Sequence, residues 1–230
     1  MNIPILYEDN HLLVVQKPCN MPTQGDASGD LDLLSYCKQD LKKRYNKPGE
    51  AYLGLVHRLD RPVGGVVCLA KTSKAAKRLS DQLRTRQMHR EYLAIVHGEP
   101  RQARATLENY LLKDSKKNQV RVVPSYAEGA KYASLGYELA AAKRKQGLSM
   151  LRVQLNTGRA HQIRVQLSAA GYPIWGDQKY GSDTSAVGQQ IALWAHKLTL
   201  LHPTTKAQMK FVCPVPQSEP WPLFEMFTRD

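Results

Sequence analysis

The order of apolar and polar residues predicts a chain built mainly of strands that follow one another directly. Period-two alternation and short apolar runs between turn residues are typical of β-strands. By these criteria the sequence predicts strands at Ile3–Tyr7, Leu12–Val15, Ala51–Val56, Val66–Ala70, Tyr92–Val96, Lys131–Ala140, Leu148–Leu155, Ile191–Leu201 and Lys206–Val212.

Three stretches with near-helical spacing lie between these strands. One spans Leu31–Tyr45, a second begins at Thr72 or Ser73, and a third spans Ala160–Ala170. Strands joined mostly by hairpins, with only three helices between them, favour an α+β fold with a mixed, mainly antiparallel sheet and packed helices. Because the sequence shows neither a linker nor an internal repeat, we expect one domain over residues 1–230.

The charge balance adds a class of partner to this picture. The chain has 33 Lys and Arg against 20 Asp and Glu, a net charge of +13, and its pI is about 9.6. A strongly basic chain is typical of proteins that bind a polyanion, most often a nucleic acid. The alternative from charge alone is a soluble basic protein without such a partner.

The cysteines and the hydropathy of the chain indicate the cellular compartment in which we expect the protein. The four cysteines lie far apart and form no C-x-x-C pair, which argues against a zinc ribbon or a thioredoxin-type motif. This usage is typical of a reducing compartment, so we expect a cytoplasmic protein. The sequence predicts no signal peptide and no apolar run of about 18 residues that could span a membrane.

The segment His57–Asp60 is the strongest candidate for chemistry. It lies between two apolar segments that are both predicted to be strands, and its sequence is His-Arg-Leu-Asp. Burying a carboxylate costs several kcal/mol unless it is paired. Asp60 is therefore either ion-paired for structure, as most interior charges are, or held in a cleft for chemistry.

Two further segments carry residues suited to the same site. Arg159, Gln162 and Arg164 offer forked donors that fit a carboxylate or a phosphate, and Tyr92 stands at the head of a strand. The sequence motifs of several other classes of enzyme and binding protein are absent. The sequence has no glycine-rich nucleotide loop, no histidines at metal-binding spacing, no G-x-S-x-G elbow and no obvious second acid for a glycosidase.

The order of these segments resembles that of the RluA-type RNA pseudouridine synthases. The resemblance covers roughly residues 5 to 215, in five parts: Tyr7–Pro18, His57–Asp60 with Gly65 after it, the Tyr92 strand, Thr157–Arg164, and Gly176–Gly181 with His202-Pro203. It implies the pseudouridine synthase catalytic fold with a central catalytic cleft, and conversion of uridine to pseudouridine in ribosomal or transfer RNA.

The resemblance also implies roles for individual residues. Asp60 matches the family's essential aspartate, Tyr92 matches the tyrosine that stacks on the target uracil and is a candidate for proton transfer, and Arg164 matches the basic residue that salt-bridges the aspartate. The implied substrate-binding residues are His57, Arg58, Arg159, His161 and Gln162. The reaction implies no cofactor and no metal, and we expect a monomer without a separate N-terminal RNA-binding module.

Three positions depart from the family pattern, and two other functions stay open. The departures are Gly64, Gln166 and Trp194, none of which removes a proposed catalytic group. One alternative is a non-catalytic RNA-binding protein on the same fold, although simple binding does not need a buried carboxylate. The other is a nucleoside hydrolase or glycosidase, which would need a second acid and would release free base.

Overall fold

The structure is a computed structural model that describes residues 2–46 and 48–228. Its strands are β1 Ile5–Glu8, β2 Leu12–Lys17, β3 Gly54–Leu55, β4 Gly64–Ala70, β5 His89–His97, β6 Arg104–Asp114, β7 Gln119–Val123, β8 Lys131–Lys143, β9 Leu148–Leu155, β10 Leu193–Leu201 and β11 Gln208–Val212. Its α-helices are α1 Leu33–Arg44, α2 Ser73–Arg84 and α3 Gln162–Ala169. Short 3₁₀ turns lie at Arg144–Gln146, Ser182–Thr184 and Trp221–Phe227.

The chain divides into two compact units. The first comprises Met1–Arg90 and Ala195–Pro214, and the second comprises Glu91–Trp194 and Val215–Asp230. The strand β5 therefore begins at the end of the first unit and continues into the second, while β10 does the reverse.

In the first unit an antiparallel sheet carries two capped helices. β2 pairs with β1 on one side and β4 on the other, and β11 pairs with β10. β4 is buried along its whole length, as expected of a continuous apolar strand with neighbours on both faces. α1 begins where the Asp32 side chain accepts a hydrogen bond from the Ser35 amide, and α2 where Thr72 accepts from the Ala75 amide.

A close backbone approach explains one glycine of β4. Gly65 has φ 120°, and a Cβ at this position would lie 2.2 Å from the carbonyl oxygen of Ala195 in β10. A residue with a side chain would therefore meet both a steric clash and backbone strain here.

In the second unit five strands form an antiparallel ladder in the order β5–β9–β8–β6–β7. α3 lies against the β6–β7–β8 part of this ladder, because its Val165 joins a buried apolar cluster. The other members are Leu111, Val120 and Ala133, with the partly buried Tyr180 packed against them. This packing fixes the helix that carries several of the predicted site residues.

The predicted fold class is confirmed, and the individual elements differ in how closely they match. The two strands predicted at Lys131–Ala140 and Leu148–Leu155 are present as the hairpin β8–β9. The strand predicted at Ala51–Val56 is reduced to the two residues of β3, and the hairpin β6–β7 was not predicted. The expectation of one domain stays a prediction. No helix within residues 2–46 and 48–228 is long and apolar enough to cross a membrane.

Candidate active site

Asp60 lies in the first unit, in the loop that leads into β4. It is half-buried, and its main-chain carbonyl accepts a hydrogen bond of 3.0 Å from the Val63 amide. This bond closes a tight turn directly after the aspartate. The position of its side chain therefore depends on how firmly the residues on either side are held.

Thr23 fixes the residue before Asp60. Its buried hydroxyl donates to the Leu59 carbonyl oxygen over 2.7 Å and accepts from the Leu59 amide over 3.2 Å. One side chain thus satisfies both backbone polar groups of Leu59, which would otherwise be buried without partners at a cost of about 1–3 kcal/mol each. Thr23 was not predicted as a site residue, because it lies 36 residues from Leu59 in the chain.

Lys17 fixes the residue after Asp60. Its ammonium is fully buried and donates to three backbone carbonyl oxygens, those of Pro18 at 3.0 Å, Met21 at 2.5 Å and Arg61 at 3.1 Å. Burial lowers the pKa of Lys17 to about 8, and the negative charge of Asp60 is among the groups that offset this effect. Lys17 was predicted only as part of the Tyr7–Pro18 motif, without a role of its own. A lysine at the end of a mostly apolar strand was the available signal.

The basic residues near Asp60 have different surroundings. Arg61 is paired at the surface with Asp30, and its Nη1 donates to the Ser28 hydroxyl over 3.0 Å. Arg58 is exposed to solvent, which suits a residue that contacts RNA. Its implied role in substrate binding stays a prediction.

His57 lies in the core with only 7% of its surface exposed. Its Nε2 accepts a hydrogen bond of 3.1 Å from the Cys68 amide, so the hydrogen of the neutral ring is on Nδ1. Burial, with a contribution from the nearby Arg90 charge, lowers the pKa of His57 to about 3. The ring is therefore neutral at physiological pH and supports the backbone of β4, while its implied contact with substrate stays a prediction.

The other two proposed catalytic residues lie in the second unit. Tyr92 is a buried residue of β5 opposite Val153 of β9. Arg164 is a buried residue of α3 and makes a bidentate salt bridge with Asp177, with Nε to Oδ2 and Nη2 to Oδ1 both at 2.8 Å. Asp177 was quoted in a resembling motif but was not predicted as the partner of this arginine.

Asp177 is held as firmly as the arginine it binds. Its Oδ1 also accepts from the amides of Lys179 at 2.9 Å and Tyr180 at 3.2 Å. Burial acts to raise the pKa of Asp177, but the Arg164 guanidinium and the two amides outweigh it and hold the pKa below its ordinary value. The preceding Gly176 has φ 76°, and a Cβ there would lie 2.3 Å from the Gln190 carbonyl oxygen, so only glycine fits.

Tyr180 joins Arg164 to His161. The Arg164 guanidinium lies over the Tyr180 ring, 5.2 Å from its centroid, and the Tyr180 hydroxyl is 2.7 Å from His161 Nδ1. His161 precedes α3 with φ 50°, in the left-handed region that non-glycine residues rarely adopt. Residues held in such conformations are concentrated at functional sites.

Gln162 organises the loop that leads into α3. Its Oε1 accepts from the Thr157 hydroxyl at 2.8 Å and the Arg159 amide at 2.9 Å, and its Nε2 donates to the Ser134 carbonyl oxygen over 3.0 Å. The Arg159 side chain is exposed and its Nε donates to the Tyr132 carbonyl oxygen over 2.9 Å. Gln162 thus shapes the loop, and Arg159 lies where RNA could reach it.

The structure therefore brings some of the predicted site residues together. In the second unit Arg164 and His161 belong to one network through Tyr180. In the first unit Lys17 and Thr23 hold the backbone of the residues on either side of Asp60. The predicted salt bridge between Arg164 and Asp60 and the approach of Tyr92 to Asp60 stay predictions.

Comparison with known proteins identifies the family. The profile of the family described as RNA pseudouridylate synthase matches residues 11–169. The uncharacterized RNA pseudouridine synthase YhcT of Bacillus subtilis is 33% identical over 216 residues, which are 93% of this chain and 69% of that protein. The ribosomal large subunit pseudouridine synthase C of Buchnera aphidicola subsp. Schizaphis graminum is 33% identical over 220 residues, 92% of this chain and 67% of its own length.

Solved structures agree with the sequence comparison. Human RNA pseudouridylate synthase domain containing 4 superposes with a TM-score of 0.77 at 25% identity, over 93% of this chain and 88% of that chain. Human RNA pseudouridylate synthase domain containing 1, with a TM-score of 0.68 at 21% identity over 100% of this chain and 96% of that one, shows the same fold. The family predicted from the sequence motifs is confirmed: this chain belongs to the RNA pseudouridine synthases and is an isomerase.

Proposed function

We propose that this chain converts specific uridines of structured ribosomal or transfer RNA to pseudouridine, with Asp60 as the catalytic carboxylate. The observation that carries the proposal is the support around Asp60. Leu59 is held by Thr23 and Arg61 by Lys17, so the backbone of the aspartate is constrained on both sides. Catalytic groups need this kind of fixed position, since small displacements from productive geometry lower turnover steeply.

The chemistry requires a carboxylate and little else. Pseudouridine forms when the N1–C1′ bond breaks, the uracil turns and a C5–C1′ bond forms. The C5 hydrogen leaves as a proton, and N1 takes up a proton, so the composition does not change. The reaction is an isomerisation without redox change, so it requires no redox cofactor. An ionised Asp60 acts either as the nucleophile at C1′ or as the base that assists glycal formation.

The buried residues of the second unit fit the other demands of the reaction. The target nucleotide must leave its stack, at a cost of a few kcal/mol. In the proposal, stacking of its base on Tyr92 returns about 1–3 kcal/mol. Arg164, whose rotamer is fixed by Asp177, supplies a positive charge that favours the ionised form of the catalytic aspartate.

Of ribosomal and transfer RNA, we propose ribosomal RNA as the substrate. Relatives from Buchnera aphidicola and Salmonella typhimurium are named ribosomal large subunit pseudouridine synthase C, and the latter is 32% identical over 219 residues. The net charge of +13 suits a polyanionic substrate. We further propose that the protein acts as a monomer in the cytoplasm.

Tritium release decides between these substrates. Large-subunit ribosomal RNA and a transfer RNA pool, each transcribed with tritium at uracil C5, are incubated with the wild-type protein. Release from ribosomal RNA alone supports the favoured substrate, and release from transfer RNA alone selects the other class. Free uracil would indicate a hydrolase, and tight RNA binding without release from either pool would favour a non-catalytic RNA-binding protein.

A further inference from the structure

Tyr180 lies between two of the predicted site residues, and the proposed function gives it no role. The Arg164 guanidinium lies over its ring, 5.2 Å from the centroid, and its hydroxyl oxygen is 2.7 Å from His161 Nδ1. All three residues belong to the second unit. One side chain therefore meets a proposed catalytic group with its face and a predicted substrate-binding group with its hydroxyl.

The backbone of Tyr180 is fixed at both of its polar groups. Its amide donates to Asp177 Oδ1 over 3.2 Å, and its carbonyl oxygen accepts from the Ser168 hydroxyl over 2.6 Å. Asp177 is itself bound to Arg164, and Ser168 belongs to α3. Tyr180 is thus tied to the same arginine and the same helix that its side chain contacts, so its ring has little freedom to move away from them.

The side chain of Tyr180 is held as well as its backbone. The ring packs against the buried apolar cluster that includes Val165 of α3, and the hydroxyl oxygen accepts from the Val120 amide over 2.9 Å. Because an amide only donates, this bond uses a lone pair of the oxygen, and the single phenolic hydrogen is left to be donated. His161 Nδ1, at 2.7 Å, lies within the range of a short hydrogen bond.

His161 is held in a backbone conformation that residues other than glycine rarely adopt. Its φ is 50°, and it immediately precedes α3. Its ring is only partly buried and meets the Tyr180 ring at 69°, with 5.7 Å between the centroids. When Nδ1 of a neutral imidazole accepts a hydrogen bond, the other nitrogen, Nε2, carries the hydrogen and is a donor.

We propose that Tyr180 is a positioning residue that donates to His161 Nδ1 and so keeps the hydrogen of the neutral His161 ring on Nε2, where it binds an oxygen of the substrate RNA. The face of the same tyrosine ring holds the Arg164 guanidinium. This inference rests on the proposed function and assigns two separable tasks to one side chain. The hydroxyl serves substrate binding through His161, and the ring serves the chemistry through Arg164.

Steady-state kinetics of tritium release separate the two tasks. Tyr180→Phe removes the hydroxyl and keeps the ring, so it should raise KM about tenfold, the effect of one lost hydrogen bond, with kcat within about twofold of the wild type. Tyr180→Leu removes the ring as well and should also lower kcat by about tenfold or more. A fall in kcat for Tyr180→Phe with KM unchanged would contradict this division.

Tyr172→Phe is the matched control for the loss of a hydroxyl. The Tyr172 hydroxyl also lies in the second unit and also accepts from a backbone amide, that of Arg101 at 3.2 Å. This variant should leave KM and kcat unchanged. Thermal melting of all variants verifies that the fold is retained.

A double-mutant cycle shows whether the Tyr180 hydroxyl acts through His161. His161→Asn removes the imidazole and places at φ 50° a residue that tolerates the left-handed region. In the His161→Asn background, Tyr180→Phe should change KM by less than about twofold. A change of about tenfold in both backgrounds would overturn the proposal, because it would show only the loss of the bond to Val120.

NMR observes the His161 hydrogen directly, whether or not the protein turns over RNA. Long-range ¹H–¹⁵N correlation of protein with ¹⁵N-labelled histidine is recorded at about pH 9, well above the usual histidine pKa of about 6.5, and the His161 signals are assigned by their loss in His161→Asn. We expect the hydrogen on Nε2 in the wild type and in Tyr172→Phe, and a displaced Nδ1 signal in Tyr180→Phe. A hydrogen on Nδ1 in the wild type would overturn the proposal. If the wild type releases no tritium from any RNA, the proposed function fails, whereas this spectrum still decides whether Tyr180 donates to His161.

Discussion

Replacing Asp177 by asparagine tests the buried ion pair on which the position of Arg164 depends. The two side chains are 6% and 1% exposed, and both contacts between them are 2.8 Å long. Asparagine keeps the shape of aspartate but removes its charge. It also turns an –NH₂ group toward at least one donor that now donates to the carboxylate, so the bidentate ion pair between Asp177 and the buried Arg164 is lost.

The expected cost follows from the burial of the pair. Removing one partner of a buried ion pair destabilises a protein by about 3–5 kcal/mol, since the remaining charge is uncompensated. For a chain of this size, each kcal/mol shifts Tm by about 2–4 °C. We therefore expect Asp177→Asn to lower Tm by about 6–20 °C.

The matched control is Glu138→Gln, which makes the same chemical change in an exposed pair with Arg104. The side chains of that pair are 47% and 76% exposed, and surface pairs contribute little because water and salt screen them. Differential scanning calorimetry of both variants should show a large fall in Tm for the first and little change for the second. Similar Tm values for the two variants would refute the argument from burial.

The same variant has a pH signature. The Arg164 guanidinium and two backbone amides hold the pKa of Asp177 below its ordinary value. Stabilisation by a group of this kind is complete above its unfolded pKa of about 3.9 and is lost as the pH falls through the folded value. Between pH 5 and pH 3, Tm should therefore fall more steeply in the wild type than in Asp177→Asn, and parallel curves would contradict the assignment.

Three further predictions concern the residues around the proposed catalytic groups. Thr23→Val leaves the amide and carbonyl of Leu59 unpaired, so it should lower the free energy of unfolding by about 2–6 kcal/mol and reduce kcat. Thr23→Ser keeps the hydroxyl and should restore both the free energy of unfolding and kcat. If urea unfolding shows the valine variant to be as stable as the wild type, Thr23 does not support the backbone beside Asp60. Burial lowers the pKa of Lys17 to about 8, so the unfolded chain binds more protons from about pH 8 to pH 10.5 and stability conferred by Lys17 rises with pH. The Tm difference between wild type and Lys17→Met should grow from pH 7 to pH 10 in favour of the wild type, and a constant or shrinking difference would contradict the assigned pKa. Arg164→Ala should lower kcat more than it weakens RNA binding in parallel tritium-release and anisotropy measurements, whereas equal losses would argue against a role at the reacting centre.

The fold could be predicted where apolar and polar residues alternate along the chain. In β9, Leu151, Val153 and Leu155 alternate with the polar Arg152 and Gln154, and this pattern predicts a strand with its correct bounds. The hairpin β6–β7 was missed because most of its residues are exposed or only half-buried. Its apolar contrast is therefore weak, and the pairing that defines it comes from β8 rather than from its own sequence.

The candidate site shows the same division between local and distant information. The His57–Asp60 segment is contiguous, so its motif could be recognised directly. The residues that hold the backbone beside Asp60 could not be recognised in this way, because Thr23 is 36 residues from Leu59 and Lys17 is 44 residues from Arg61. Likewise, α3 was predicted from helical spacing, but the partner of its Arg164 lies outside the helix at Asp177, where no periodic pattern points to it.

The central claim of this account is that Asp60 carries out the isomerisation, and the loss of tritium from uracil C5 measures this step directly. Wild type, Asp60→Ala and Asp26→Ala, which removes an exposed carboxylate from a nearby loop, are incubated with tritiated large-subunit ribosomal RNA. We predict release by the wild type and by Asp26→Ala, and none by Asp60→Ala, while all three bind the RNA with similar affinity. Release by Asp60→Ala at the wild-type rate would contradict the account.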